Sequence, residues 1–198
     1  YTVTNRSRAY VNEVTKNISG EIFKNYKVNK VSRSQENVKI TIGNEHLNYD
    51  QVVLASHADQ SLKMLEDPSD DELNILEKFK YVSNKAVLHT DQNFMPKNKI
   101  AWSSWNSISN NSQTCVTYWL NKLQNLNCKK NYFLTLNPIE NVNKESFIKD
   151  INFTHPYFNK DTLKYQSNLY SIQGKKRTWY CGSYFGYGFH EDGLKSAI

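Results

Sequence analysis

Two short apolar runs lying far apart in the chain constrain the fold most. One is Tyr49-Asp50-Gln51-Val52-Val53-Leu54-Ala55; the other is Thr178-Trp179-Tyr180-Cys181. Both are too short for a helix and read as strands buried in a sheet. The second feeds a glycine-dense end: five of the seven glycines (Gly174, Gly182, Gly186, Gly188 and Gly193) fall within the last 25 residues. A chain that leaves one layer and returns to it often carries an inserted domain. Residues 1–57 and 174–198 are therefore read as parts of one domain, and residues 58–173 as a second.

The intervening pattern supports this division. Tyr10, Val11, Val14 and Ile18 form a helical stripe over 4–18, with Gly20 as a stop. Residues 26–31 and 38–42 alternate apolar and polar across a polar turn, which predicts a β-hairpin, and Gly43-Asn44-Glu45 turns again. Residues 58–66 have helical spacing. Ser69 and Glu72 form a capping box that opens a helix carrying Leu73, Leu76 and Phe79. Strands are expected at 84–90, 100–105, 114–120, 132–136 and 147–153, as an antiparallel sheet. A helix is expected over 159–173.

The 198 residues allow one domain or two small ones. Aromatic residues make up 13%, enough for a packed core, which argues against disorder despite a mean hydropathy of −0.71. No apolar run approaches the ~20 residues of a membrane helix, and no secretory leader is visible. The net charge of +6 rests on lysines, since only Arg6, Arg8, Arg33 and Arg177 are arginines. The lysines are spread rather than clustered, so nucleic acid is not an expected partner. Cys115, Cys128 and Cys181 lack ligand spacing, and no His/Cys pairs recur, so no metal site is expected. Three thiols without a leader point to a reducing, cytoplasmic setting. The chain opens on Tyr1, and Gly193–Ile198 reads as the first turns of a helix; both features lead us to expect a piece of a longer protein.

The stretch Trp179–Ala197 carries the most chemistry. A buried strand runs into a loop with three glycines, then into a helix start with Glu191 and Asp192. Glycine permits positive φ and close approach of backbone to a ligand. First-turn N–H groups and the helix dipole favour partial negative charge. The alternative is a glycine-rich turn in which Asp192 or Glu191 merely caps a helix.

This stretch resembles the second flavin-binding segment of the flavin-containing amine oxidase superfamily. Cys181-Gly182, Glu191-Asp192-Gly193 and Ser196-Ala197 stand where that segment has Ala-Gly, Glu-Gly-Ala and Ser-Gly. The wording Tyr184-Phe185-Gly186-Tyr187-Gly188-Phe189-His190-Glu191-Asp192-Gly193-Leu194 is more similar still to a bacterial branch of NAD/FAD-binding proteins of amine-oxidase type. Thr2–Val11, Tyr49–Gln60, Val87–Asp91, Trp102–Asn106, Val116–Gln124 and Leu134–Pro138 also resemble that branch.

The resemblance implies an α+β, α/β fold: the C-terminal part of an FAD-binding, Rossmann-like domain with an antiparallel-sheet substrate domain. It implies an FAD-dependent oxidoreductase that passes a hydride from a C–N or C–C bond to flavin N5. Val28 would contact adenine through its backbone, or be a plain core valine. Gly182 and Ser183 would approach the ribityl-pyrophosphate region, although Ser183-Tyr184 stand where relatives carry an acid. The amides of Asp192, Gly193 and Leu194 would face flavin N1 and O2, where reduction places negative charge. Asn84-Lys85-Ala86-Val87-Leu88 with Phe94-Met95-Pro96 is similar to a family strand whose lysine holds a water behind flavin N5. Lys85 is thus the catalytic candidate, or a surface lysine.

The superfamily's Gly-x-Gly-x-x-Gly fingerprint is absent from these residues. The partner expected to supply it is a missing N-terminal part of the same protein, and the 198 residues alone are expected to bind FAD weakly and to be inactive. The aromatic sheet suggests an apolar or amphipathic small-molecule substrate, with Trp102, Trp105 and Trp119 either lining it or packing. The alternative function is a non-catalytic module that binds a lipid or sugar on the aromatic sheet.

Overall fold

A computed structural model describes residue 3, residues 6–110 and residues 113–198. In chain order, the α-helices are α1 (Arg6–Lys16), α2 (Ala58–Met64), α3 (Asp70–Leu76), α4 (Leu120–Leu123), α5 (Lys160–Gln166) and α6 (His190–Lys195). The strands are β1 (Lys30–Arg33), β2 (Val38–Ile42), β3 (Glu45–Tyr49), β4 (Val52–Leu54), β5 (Lys80–His89), β6 (Trp105–Ser109), β7 (Thr114–Trp119), β8 (Phe133–Leu136), β9 (Phe147–Tyr157) and β10 (Thr178–Tyr180).

The chain divides into two compact units, one formed by 1–22 and 83–154 and the other by 23–82 and 155–198. The boundaries expected at 57/58 and 173/174 are therefore displaced. The physical reason is burial. Leu65, Ile75, Leu76 and Phe79 from 58–82, and Leu169 and Ile172 from 155–173, join one core with Val31, Val38, Leu54 and Tyr180. Helical segments with that much apolar surface are held by the layer they cover.

In that unit β1, β2 and β3 form an antiparallel meander, with Val31 opposite Ile40 and Ile40 opposite Leu47. The third strand was not expected as one, because Gly43-Asn44 supplies the turn but β3 buries no residue to mark it. β4 and β10 pair in parallel, Val53 opposite Trp179. The two apolar runs thus meet in one sheet, as the return of the chain to one layer predicts. The Ser69 capping box is formed: Ser69 accepts the Glu72 N–H and the Glu72 carboxylate accepts the Ser69 N–H at 2.7 Å. α5 starts on Asn159, whose side chain accepts the Thr162 N–H at 2.8 Å. The helix expected to run to 173 changes at Ser167 to a 3-10 helix over Ser167–Ile172.

In the other unit five strands form one sheet in the order β6-β7-β8-β5-β9, antiparallel where β6 meets β7, β7 meets β8 and β8 meets β5. Residues 100–105 are not a strand: Lys99–Ala101 is a 3-10 turn capped by Asn98, which accepts the Ile100 N–H at 3.0 Å, and β6 begins only at Trp105. The local Asx turn outcompetes extension there. The helix expected over 4–18 is α1, which ends at Lys16 and so carries Tyr10, Val11 and Val14 of the stripe but not Ile18; Val11, Val14 and Ile18 are all about half exposed, and position 4 lies outside the described residues.

This sheet encloses a polar chain. His89 is fully buried, and its Nδ1 accepts the Asp91 N–H at 3.1 Å. Nε2 therefore carries the proton and donates to Thr135 Oγ1 at 2.7 Å, and Thr135 meets Thr117 Oγ1 at 2.8 Å. Burial lowers the His89 pKa, with the Asp91 carboxylate opposing. Trp102 packs edge-on against Trp119 and Phe133 and donates its indole N–H to the Pro96 carbonyl at 2.8 Å. Trp102 and Trp119 are thus packing residues, whereas Trp105 is exposed on β6 against the edge of Tyr118.

Candidate functional site

The glycine-dense end is a closely laced loop. Cys181 extends the β4–β10 ladder by one bond, its N–H donating to the Leu54 carbonyl at 3.2 Å. Gly182 then adopts φ +155°, and a Cβ there would stand 2.7 Å from the Tyr184 ring, so only glycine fits. Ser183–Phe185 form a 3-10 turn, and the Ser183 carbonyl accepts from Gly186 and Gly188 at 3.2 and 3.1 Å.

Asp192 closes the loop. Its Oδ2 accepts the N–H groups of Tyr187 and Phe189 at 3.0 and 2.9 Å, and its carboxylate lies so close to Gly186 that a Cβ there would collide. From the other side Gln166 Nε2 donates to the carbonyls of Tyr184 and Gly186 at 3.2 and 2.5 Å. α6 is then held over the strand end by Ser196, which accepts the Gly182 N–H at 2.9 Å and donates to the Gly193 carbonyl at 2.7 Å. A Cβ at Gly193 would stand 3.6 Å from Ser183 N, in ordinary contact with the Gly182–Ser183 backbone.

Gly182, Ser183, Asp192, Gly193 and Leu194 are thus gathered in one loop-helix unit. Their amides are not all free. α6 begins at His190, and the Asp192 and Gly193 N–H groups both donate to the Phe189 carbonyl, at 3.1 and 3.3 Å. Two of the three amides expected to face a flavin edge are therefore hydrogen-bonded at the helix start, because the helix opens before Gly193. The reading of Asp192 as a cap is met: it serves the loop and the helix start together. Phe189 and Tyr187 are both largely exposed, so neither is a core residue. Val28 precedes β1 and is half-buried against the unit's core.

Lys85 belongs to the sheet unit. Its Nζ pairs with Asp150 at 3.0 Å with both side chains about half exposed, and its N–H donates to Asn137 Oδ1 at 2.9 Å. A cavity of about 510 Å³ beside it is lined by Lys85, Val87, Thr114, Asn137, Pro138 and Phe147.

A further group follows the parallel strands, where open α/β sheets bind ligands. The His57 ring lies flat on Tyr81, with centroids 4.2 Å apart and planes 12° apart, and the Tyr81 hydroxyl accepts the Ala58 N–H at 3.0 Å. Burial pushes the Tyr81 phenol up to about 12. The Tyr184 hydroxyl is buried without a hydrogen-bond partner, and burial raises its pKa also. Sequence reasoning passed over these residues. The Ser56-His57-Ala58-Asp59 signal was present, but the Tyr81 and Tyr184 contacts exist only in three dimensions. Among the described residues no group of acids, histidines and cysteines is arranged to hold a metal, and no helix is long and apolar enough to cross a membrane.

The chain has the fold of several enzymes of known structure. It is similar to a CLA-producing fatty acid isomerase from P. acnes (13% identity, TM-score 0.68, 99% of this chain and 51% of that one). It is also similar to a putrescine oxidase solved with putrescine (8%, 0.63, 98% and 52%) and to cyclohexylamine oxidase from Brevibacterium oxydans (8%, 0.59, 86% and 46%). The chain spans about half the length of these proteins. No curated protein matches it in sequence. Residues 8–124 match the sequence model of the flavin-containing amine oxidoreductases. With more than half its length covered by that model, the chain belongs to the flavin-containing amine oxidoreductase family.

Proposed function

We propose that these residues form the flavin-edge and substrate-sheet part of an FAD-dependent oxidoreductase. The observation that carries the reading is the loop joining β10 to α6. It is pinned by Asp192, Gln166 and Ser196, and its glycines at 182 and 186 let the Tyr184 ring and the Asp192 carboxylate pack directly on the backbone. Such a compact, preorganised backbone suits the rim of a flavin. Val28, Gly182, Ser183, Asp192, Gly193 and Leu194 are the residues proposed to hold it, with FAD the flavin form assigned.

When bound, the flavin supplies the two-electron acceptor. It would accept a hydride from a substrate carbon in a C–N or C–C unit as a proton is lost from the neighbouring atom, with O₂ or another oxidant as the final acceptor. This chain's part is to orient the ring edge and to exclude water. The sheet unit is assigned the substrate face, for an apolar or amphipathic small molecule. Lys85 is retained as the proposed lysine behind N5 on the likeness of its strand, and the Asp150 pair would then have to yield.

The test is to purify the full-length protein and record its visible flavin absorbance. Anaerobic reduction is then screened with amines, polyenes and fatty-acyl compounds. Bound flavin reduced by one of these classes is expected. A full-length protein without flavin sinks the reading. The 198 residues alone are expected to take up FAD weakly or not at all.

A further inference from the structure

β4 and β10 are parallel, so their C-terminal ends open on the same side, where α/β sheets bind ligands. β4 leads into the turn Ser56-His57, and β10 into the turn Gly182-Ser183. The two turns touch: a Cβ at Gly182 would stand 3.8 Å from the Ser56 carbonyl oxygen. The first turn is braced by the Ser56 and Ser61 hydroxyls, 2.8 Å apart. His57 therefore belongs to the same strand-end corner as the glycine loop.

This histidine is held in one orientation and left incomplete. Its ring lies flat on Tyr81, and Tyr81 is anchored through its hydroxyl to the Ala58 N–H of the same turn. The side chain is 38% exposed, so it is not core packing. Nδ1 lies 4.0 Å from Asp59 Oδ1, too far for a hydrogen bond, and Asp59 Oδ1 is itself buried without a hydrogen-bond partner. Among the described residues no hydrogen bond reaches Nε2. The other Asp59 oxygen faces Lys63 Nζ at 3.7 Å, so the carboxylate is balanced and the corner does not repel an anion.

An orphaned carboxylate oxygen on one edge of a fixed imidazole and an unserved nitrogen on the other make a half-built relay. A ring that donates only from Nδ1 to Asp59 has an acceptor at Nε2; a ring that carries both protons donates from both nitrogens. An anion at Nε2 stabilises that second form with a charge-assisted hydrogen bond. We propose that His57 is a phosphate-binding residue of this corner, whose Nε2–H donates to a phosphate oxygen of FAD while Nδ1–H closes on Asp59. The proposal rests on the reading of these residues as part of a flavoprotein. It adds to that reading a contact from the turn after β4, which the glycine loop does not supply.

The test uses the full-length protein stripped of flavin, titrated with FAD and with riboflavin, which has no phosphate. His57→Phe keeps a flat ring on Tyr81 but has no N–H to donate. The variant is expected to bind FAD about 10- to 10²-fold more weakly, as for a lost hydrogen bond to a charged group, and riboflavin as the parent does. Equal weakening for both ligands overturns the proposal, since the ring would then only shape the corner. Unchanged FAD affinity overturns it too. A measurement without mutation is the ¹⁵N spectrum of the histidine rings: FAD, but not riboflavin, is expected to move both His57 nitrogens to their protonated positions, and a ring that ignores FAD overturns the contact. The two readings fail differently. A full-length protein that binds neither ligand ends the flavoprotein reading and this contact with it, whereas flavin held equally well by parent and His57→Phe ends the contact alone.

Discussion

The Arg33 guanidinium and the Glu72 carboxylate meet fork to fork, Nη1 to Oε1 at 2.5 Å and Nη2 to Oε2 at 3.0 Å, with both side chains excluded from solvent. Tyr180 donates to the same Oε1 at 2.6 Å, and Arg33 also reaches Asp67 and Thr178. One buried charge pair therefore ties the β1–β2 hairpin, α3 and β10 together. Burial alone would raise the Glu72 carboxyl, but the hydrogen bonds from Arg33, Tyr180 and Ser69 outweigh it and hold it at about 2. Burial likewise opposes the Arg33 charge, and the two carboxylates outweigh it and raise its pKa.

Breaking this pair from one side strands a buried charge. Arg33→Met is expected to cost about 3–5 kcal/mol in urea unfolding. The double variant Arg33→Met/Glu72→Leu is expected to lose less than the sum of the single losses. Additive losses would show that the pair is not coupled.

Acid stability follows with a definite sign. The folded pKa of Glu72 lies below its ordinary 4.5, so the stabilisation is complete above 4.5 and is lost as pH falls toward about 2. The loss amounts to about 3 kcal/mol over that window. It is measured as the unfolding midpoint against pH, and Glu72→Gln should flatten it.

His89 acts in a higher window. Its folded pKa lies below 6.5, so the unfolded chain binds the proton first and stability falls as pH drops below 6.5. Thr135→Val should destabilise by about 1–3 kcal/mol by leaving Nε2–H unsatisfied. His89→Gln should remove the pH dependence in that range, and its persistence would assign the effect to another group.

Gly182→Ala tests the loop. A Cβ at φ +155° would meet the Tyr184 ring, so a loss of about 1–3 kcal/mol is expected, with weaker flavin retention in the full-length protein. Asp192→Ala removes the acceptor of two backbone N–H groups and should weaken retention in the same way. Unchanged retention in both variants would separate this loop from the flavin.

Lys85→Met in the full-length protein distinguishes two roles. The exposed pair with Asp150 is worth less than about 1 kcal/mol, so stability should barely move. Flavin reoxidation is expected to slow by about 10²-fold. An unchanged reoxidation rate would leave Lys85 as a surface ion-pair partner.

Much of the molecule is readable from local patterns, because local patterns have local causes. The Ser69 box, the β1–β2 hairpin, the two apolar runs as strands and the glycine turns of the last 25 residues each depend on neighbours a few positions away, and each appears in the structure, though β4 and β10 bury only alternate residues. The tertiary structure alone decided the rest. It drew residues 58–82 and 155–173 into the core of the β4–β10 unit, joined Arg33 to Glu72 across 39 positions, and spent the Asp192 and Gly193 amides on the Phe189 carbonyl. Those outcomes rest on the burial of apolar surface and on pairing charges that burial has removed from water. Both depend on which segments meet, and no short stretch of sequence encodes that.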